Sequence, residues 1–178
     1  MNKFAAASAD ESIVFGSARP GSNQKKVEEW IDFMQNQGIR RVCCLLSKTE
    51  LNQYSDLLGI YRQYFGRNSI YWAPIEDFRI VDRQVLIEQI LPFLSSADRQ
   101  CEKVVVHCAG GVGRTGHILA AWLVAGRGFS PKLAIATVKQ SGRNPHEAVI
   151  AAPFTGRNPW QVNAELTRLL DECNRLSN

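Results

Sequence analysis

Residues 104–116 read VVVHCAGGVGRTG. An apolar run leads into Cys108; Gly110, Gly111 and Gly113 follow within five positions, then Arg114 and Thr115. Glycines leave the backbone unshielded and free to take positive φ, so such a turn can aim successive N–H groups inward as an anion nest. A helix beginning near Arg114 adds its positive N-terminal end. Arg114 can grip two oxygens of a tetrahedral anion with a bidentate fork. The dipoles that bind phosphate also stabilise a thiolate, and a thiolate beside a cradled phosphoryl group is a nucleophile placed for attack. Between Cys108 and Arg114 stand Ala109, Gly110, Gly111, Val112 and Gly113, a spacing that lets the loop curl round one phosphate. The nucleotide-binding pattern G-x-x-x-x-G-K-[ST] fails, because Arg114 stands where lysine is required.

A loop of this kind needs a strand to deliver the cysteine and a helix to receive the arginine. Val104–His107 reads as the strongest strand, and residues 114–126, apolar nearly all round, as a buried helix. Further strands are expected at Ser12–Phe15, Val42–Leu46 and Ser69–Ala73. Helices are expected around Val27, Trp30, Ile31 and Met34, over 49–65 and 83–95, and at about 131–140, 146–152 and 160–176. Alternating strands and helices predict an α/β fold, a mostly parallel central sheet flanked by helices. In such sheets ligands sit beyond the C-terminal strand ends, where the quoted loop lies. Residues 1–10 read as a flexible tail and 11–178 as one domain, which suits 178 residues.

Composition narrows the function. Net charge is +4, from 21 Lys+Arg against 17 Asp+Glu, which favours anionic ligands without the basic stripe of a nucleic-acid binder. The longest apolar run, Ile118–Ala125, falls far short of the ~20 residues of a membrane span. Five cysteines without paired spacing argue against a disulfide scaffold; no C-x-x-C, and no metal-like partners for His117 or His146, point to a protein without metal or cofactor. No nucleic-acid or membrane partner is expected, the location is expected to be cytoplasmic, and the oligomeric state is left open.

HCAGGVGRTG is similar to the H-C-x5-R-[ST] loop of the cysteine-dependent protein tyrosine phosphatase superfamily, and the single-domain length resembles its dual-specificity branch. The upstream stretch GIRRVCCLLSKTELNQYSDLLGIYRQYFGRNSIYWAPIEDF resembles the kinase-associated, cyclin-dependent-kinase-directed phosphatases of that branch, with their strand, E-L, Tyr, helix and P-I-x-D. The likeness runs over roughly residues 12–140. It implies Cys108 as nucleophile, Arg114 as the grip on the phosphoryl oxygens and Thr115 as hydrogen-bond donor to the departing sulfur. His107 would be a buried tie on the loop. Asp77 would be general acid and then base, with Glu76 and Asp82 as rivals. Ala109 through Gly113 would bind substrate through their backbone. Relatives often carry Gly-Gly after the acid; this chain has Phe78-Arg79.

The sequence GRNP occurs at 142–145 and 156–159 and reads as two helix starts, with Asn144 and Asn158 as N-caps and Pro145 and Pro159 at the first helical position; the alternative is that one or both loops approach the catalytic mouth. Gln161 is a candidate to position water. Cys43 and Cys44 lie on a strand where some relatives keep a partner cysteine for reversible oxidation, though core packing accounts for them as well. The leading reading is a phosphatase of phosphorylated proteins working through a phospho-cysteine intermediate. Phosphoinositide, glucan or RNA 5′-phosphate substrates are alternatives, as is a non-catalytic phosphate-binding module.

Overall fold

The computed structural model describes residues 3–176. Its sheet has five strands: β1 (Ala5–Ala6), β2 (Val14–Ala18), β3 (Ile39–Cys44), β4 (Ile70–Trp72) and β5 (Lys103–Cys108), in the order β1-β2-β5-β3-β4. All neighbours run parallel except β1, which is antiparallel to β2. The helices in chain order are α1 (Gln24–Asn36), α2 (Lys48–Leu51), α3 (Leu57–Phe65), α4 (Arg83–Val85), α5 (Leu91–Arg99), α6 (Gly113–Arg127), α7 (Pro131–Gln140), α8 (Glu147–Ala151) and α9 (Pro159–Leu176). The expected α/β architecture is therefore present.

β5 is central, and its near-continuous apolar run is what a strand covered on both faces requires. Alternate residues face opposite layers. Val104, Val106 and Cys108 join the core under α5, α6 and α9, and Val105 joins the one under α1 and α3. α6 is buried all along Gly113–Val124, because it lies between the sheet and α7 and α9.

Three expectations need correction. The N-terminal residues do not form a loose tail: Ala5–Ala6 pairs with β2, the Phe4 ring stacks on Phe15 at 5.1 Å, and Ala7 is fully buried. Burial of that short apolar run outweighs the entropy of ordering it. The expected helix 49–65 is two helices. Ser47 and Glu50 form a capping box on α2, and Asp56 opens α3 by accepting from the Gly59 N–H at 2.9 Å. The expected helix 83–95 contains a π turn at Leu86–Ile90, where the Leu91 N–H reaches back to the Leu86 carbonyl. The next residue, Pro92, has no N–H to give, and a widened turn makes room for its ring.

Candidate active site

β5 delivers Cys108 to the C-terminal edge of the sheet, and the chain turns through residues 109–112 into α6. Gly111 makes the turn possible. Its φ is +67°, and a Cβ there would stand 2.6 Å from the backbone of Ser17 and Ala18, so only glycine fits. The Gly111 N–H and the Thr115 hydroxyl both donate to Cys108 Sγ, at 3.3 and 3.2 Å. The sulfur thus accepts two hydrogen bonds near the positive end of a 15-residue helix.

His107, one residue back, is buried between Trp30 and Tyr61, with ring centroids 5.3 and 5.7 Å away and Tyr61 Oη 3.3 Å from Nε2. Burial pushes its pKa down to about 3, so the ring is neutral. The His107 carbonyl accepts from the Leu45 N–H at 2.8 Å, which ties the end of β5 to the segment after β3.

Arg114 is 3% exposed. Glu50 takes its guanidinium with both oxygens, at 2.6 and 2.7 Å; the Ile75 carbonyl accepts at 2.8 Å, and Asp77 Oδ1 lies 3.1 Å away. Burial works against the arginine's charge, but the Glu50 bonds and the charges of Cys108 and Asp77 outweigh it, and its pKa rises. For Glu50 likewise, burial opposes ionisation and the Arg114 bonds win, lowering its pKa. Two elements far apart in sequence thus set one guanidinium beside the sulfur.

Asp77 sits in the loop after β4, with its side chain 54% exposed, over Arg114. Phe78 beside it takes φ +55°, an uncommon conformation for an aromatic residue. The loop is anchored where the Val81 N–H meets His117 Nε2 at 3.3 Å. Of the rivals, Asp82 is engaged as the cap of α4, accepting from Gln84 and Val85 at 2.8 and 3.2 Å. Glu76 is exposed.

Three contributors escaped the sequence reading. The first is Glu50, whose S-x-x-E spacing signals a helix start and nothing about Arg114. The second is Arg143, which was not singled out, although its GRNP loop had the approach to the mouth as an alternative reading and does reach the Cys108–Arg114 turn. Arg143 is 2% exposed and donates to the Gly111 carbonyl at 3.0 Å and to the Lys3 and Ala5 carbonyls at 3.1 and 3.2 Å. Burial lowers its pKa to about 10. Asn144 beside it accepts from the His146 N–H at 3.2 Å and does not cap α8, whereas Asn158 and Pro159 do open α9. The third is Glu147, against the start of α6. Gln161 instead lines a separate groove of about 600 Å³ with Asp82, Arg83, Arg168 and Glu172. Cys43 and Cys44 are buried; burial raises both thiol pKa values, that of Cys44 to about 12. Among the described residues no cluster of His, Cys, Asp and Glu could hold a metal, and no helix is long and apolar enough to cross a membrane.

Residues 15–127, more than half of the chain, match the family described as "Polymorphic toxin system, DSP-PTPase phosphatase". The chain belongs to this family. The matched segment of this DSP-PTPase runs from β2 through α6 and so contains Glu50, Asp77 and the whole Cys108–Arg114 loop. The DSP-PTPase is 33% identical over 86 residues to a dual specificity protein phosphatase of vaccinia virus (strain Copenhagen), covering 48% of this chain and 50% of the relative. It spans about half the length of that relative. A solved kinase-associated phosphatase, carrying serine for its catalytic-site cysteine, superposes with TM-score 0.61 at 26% identity over 74% of this chain and 78% of that one. Tk-PTP in its active form shares the fold, with TM-score 0.68 at 24% identity over 93% of each chain.

Proposed function

We propose that this DSP-PTPase hydrolyses phosphate monoesters through a phospho-cysteine intermediate. The observation that carries the reading is the convergence on one sulfur: two donors aimed at Cys108 Sγ, with the Arg114 fork locked beside it by Glu50 and Asp77 above. The phosphoryl oxygens lie in the ring of N–H groups from Ala109 to Gly113 and in the Arg114 fork. The Cys108 thiolate attacks phosphorus and the ester P–O bond breaks, while Asp77 gives its proton to the departing oxygen. Water then attacks phosphorus on the side the alcohol left, Asp77 takes its proton, and the P–S bond breaks to release inorganic phosphate. Thr115 steadies the departing sulfur. His107, neutral and caged by aromatic rings, holds the strand end in place.

Phosphorylated proteins are the proposed substrate class, phosphotyrosine first and phosphoserine and phosphothreonine with it. The likeness to dual specificity protein phosphatases supports this, and so does the absence of any lysine from the loop, which gives a polyphosphorylated head group no extra cation. A cytoplasmic setting suits the five free thiols. The test compares an aryl phosphate, phosphotyrosyl and phosphoseryl peptides, and phosphoinositides. The reading expects turnover of the first two, abolished in Cys108→Ser and insensitive to chelators. Turnover that survives Cys108→Ser overturns the mechanism, and preference for the lipids overturns the substrate class.

A further inference from the structure

Glu147 opens α8, and its carboxyl presses on the Gly113 α-carbon: a Cβ at Gly113 would fall 2.0 Å from Oε2. Gly113 is the last residue of the loop and the first of α6, so its N–H belongs to the ring that would hold a phosphate. That N–H stabilises the Glu147 carboxylate. The charged groups facing Glu147 are Asp77 from the loop after β4, Arg114 from α6 and Lys3 from the N-terminal segment. Burial, and then the Asp77 charge, push the Glu147 pKa up; the Gly113 N–H, Arg114 and Lys3 pull it down and do not prevail. A second carboxyl, beside Asp77 and against the backbone of the cradle, has no part in the mechanism above.

We propose that Glu147 is a specificity-determining residue that couples anion binding in the cradle to one proton. As a carboxylate it competes with an incoming anionic oxygen for the Gly113 N–H and repels it. As a carboxylic acid it donates a hydrogen bond to that same oxygen. A dianion therefore enters most readily with Glu147 protonated, and the proton comes from solvent with no bond to phosphorus changed. The inference rests on the reading of the loop as a phosphate site.

Sulfate is the probe, because it is tetrahedral and remains a dianion across the working pH range. Binding to Cys108→Ser, which removes the thiolate and keeps the cradle, is measured calorimetrically in two buffers of different ionisation enthalpy. The expected result is uptake of close to one proton per sulfate above the Glu147 titration, with affinity falling about tenfold per pH unit there. Adding Asp77→Asn leaves the uptake in place. Adding Glu147→Gln abolishes it and raises affinity at neutral pH by about tenfold or more. Should Glu147→Gln fail to fold by thermal melting, Glu147→Ala carries the same expectation for proton uptake. Uptake that persists without Glu147, or is absent with it, overturns the inference. Turnover of aryl phosphate by the wild type tests the phosphatase reading separately; an active enzyme without Glu147-linked uptake leaves that reading standing. A Cys108→Ser protein that binds no sulfate overturns the cradle and the coupling together.

Discussion

Glu50 on α2 and Arg114 on α6 form a two-pronged ion pair, at 2.6 and 2.7 Å, across 64 residues of chain. It fixes the plane of the guanidinium and so the direction of its remaining donors. Glu50→Gln would set an amide donor against a donor, and Arg114 would turn. Misplacement by about 1 Å costs on the order of 10²-fold in rate. We expect that loss in kcat/KM for an aryl phosphate, against little change in Glu76→Gln, whose side chain is exposed. Steady-state kinetics of the two variants decide it.

Asp77→Asn should lower kcat by about 10²–10³, the usual range for general acid–base catalysis. The loss should grow with the leaving-group pKa across a series of aryl and alkyl phosphates, since good leaving groups depart without a proton. Asp82→Asn keeps the cap of α4, because the amide oxygen accepts the same two N–H bonds. It should leave stability almost unchanged and show no such leaving-group dependence. A dependence found in Asp82→Asn and missing from Asp77→Asn would move the acid by five residues.

Gly16 lies on β2 directly beneath Arg143: a Cβ would stand 2.6 Å from Nη2. Gly16→Ala should expel the guanidinium from its three carbonyls and release Gly111. Expected are a loss of about 1–3 kcal/mol, typical of overpacking, and a fall in turnover larger than the fall in stability explains. Denaturant titration and kinetics on the same preparation separate the two effects.

Stability should fall as pH drops below about 6.5. Burial holds His107 down to about 3 and His117 down to about 4, whereas their ordinary value is 6.5. Between those limits the unfolded chain binds protons that the native state refuses, so stability is fully present above the ordinary histidine value and declines as acid titrates the unfolded state. His146, also lowered by burial, acts in the same sense. Each fully resistant histidine contributes a slope of about 1.4 kcal/mol per pH unit. His117→Gln should remove one such share from the slope, read from denaturant midpoints across the window between pH ~6.5 and ~4.5.

The loop and its two flanking elements were legible because their chemistry is contiguous. Six residues from His107 to Val112 and a periodic apolar helix say strand, nest and dipole without help from the rest of the chain. Asp77 came from the likeness of Pro74-Ile75-Glu76-Asp77 to the P-I-x-D of kinase-associated phosphatases, not from periodicity or composition. Glu50, Arg143 and Glu147 were not, because each acts through a contact that only the fold creates, and each has an ordinary local reading as a cap, a loop cation or a surface acid. The same blindness explains β2. Gly16-Ser17-Ala18 falls outside the expected strand Ser12–Phe15, yet these are strand residues kept small by the buried Arg143 and by the close approach of Gly111. The division of 49–65 turned on Asp56, whose capping role competes with a helical apolar pattern that continues past it.

The bonds of Arg143 to Lys3 and Ala5 span 140 and 138 residues, and its bond to Gly111 closes the Cys108–Arg114 turn from behind. Contacts this distant in sequence form after local ones, since loop-closure entropy must be met first. A chain leaving the ribosome therefore carries Cys108 long before the turn around it is complete. Residue 143 is the piece that then joins the first strand to the loop, through the Lys3, Ala5 and Gly111 carbonyls.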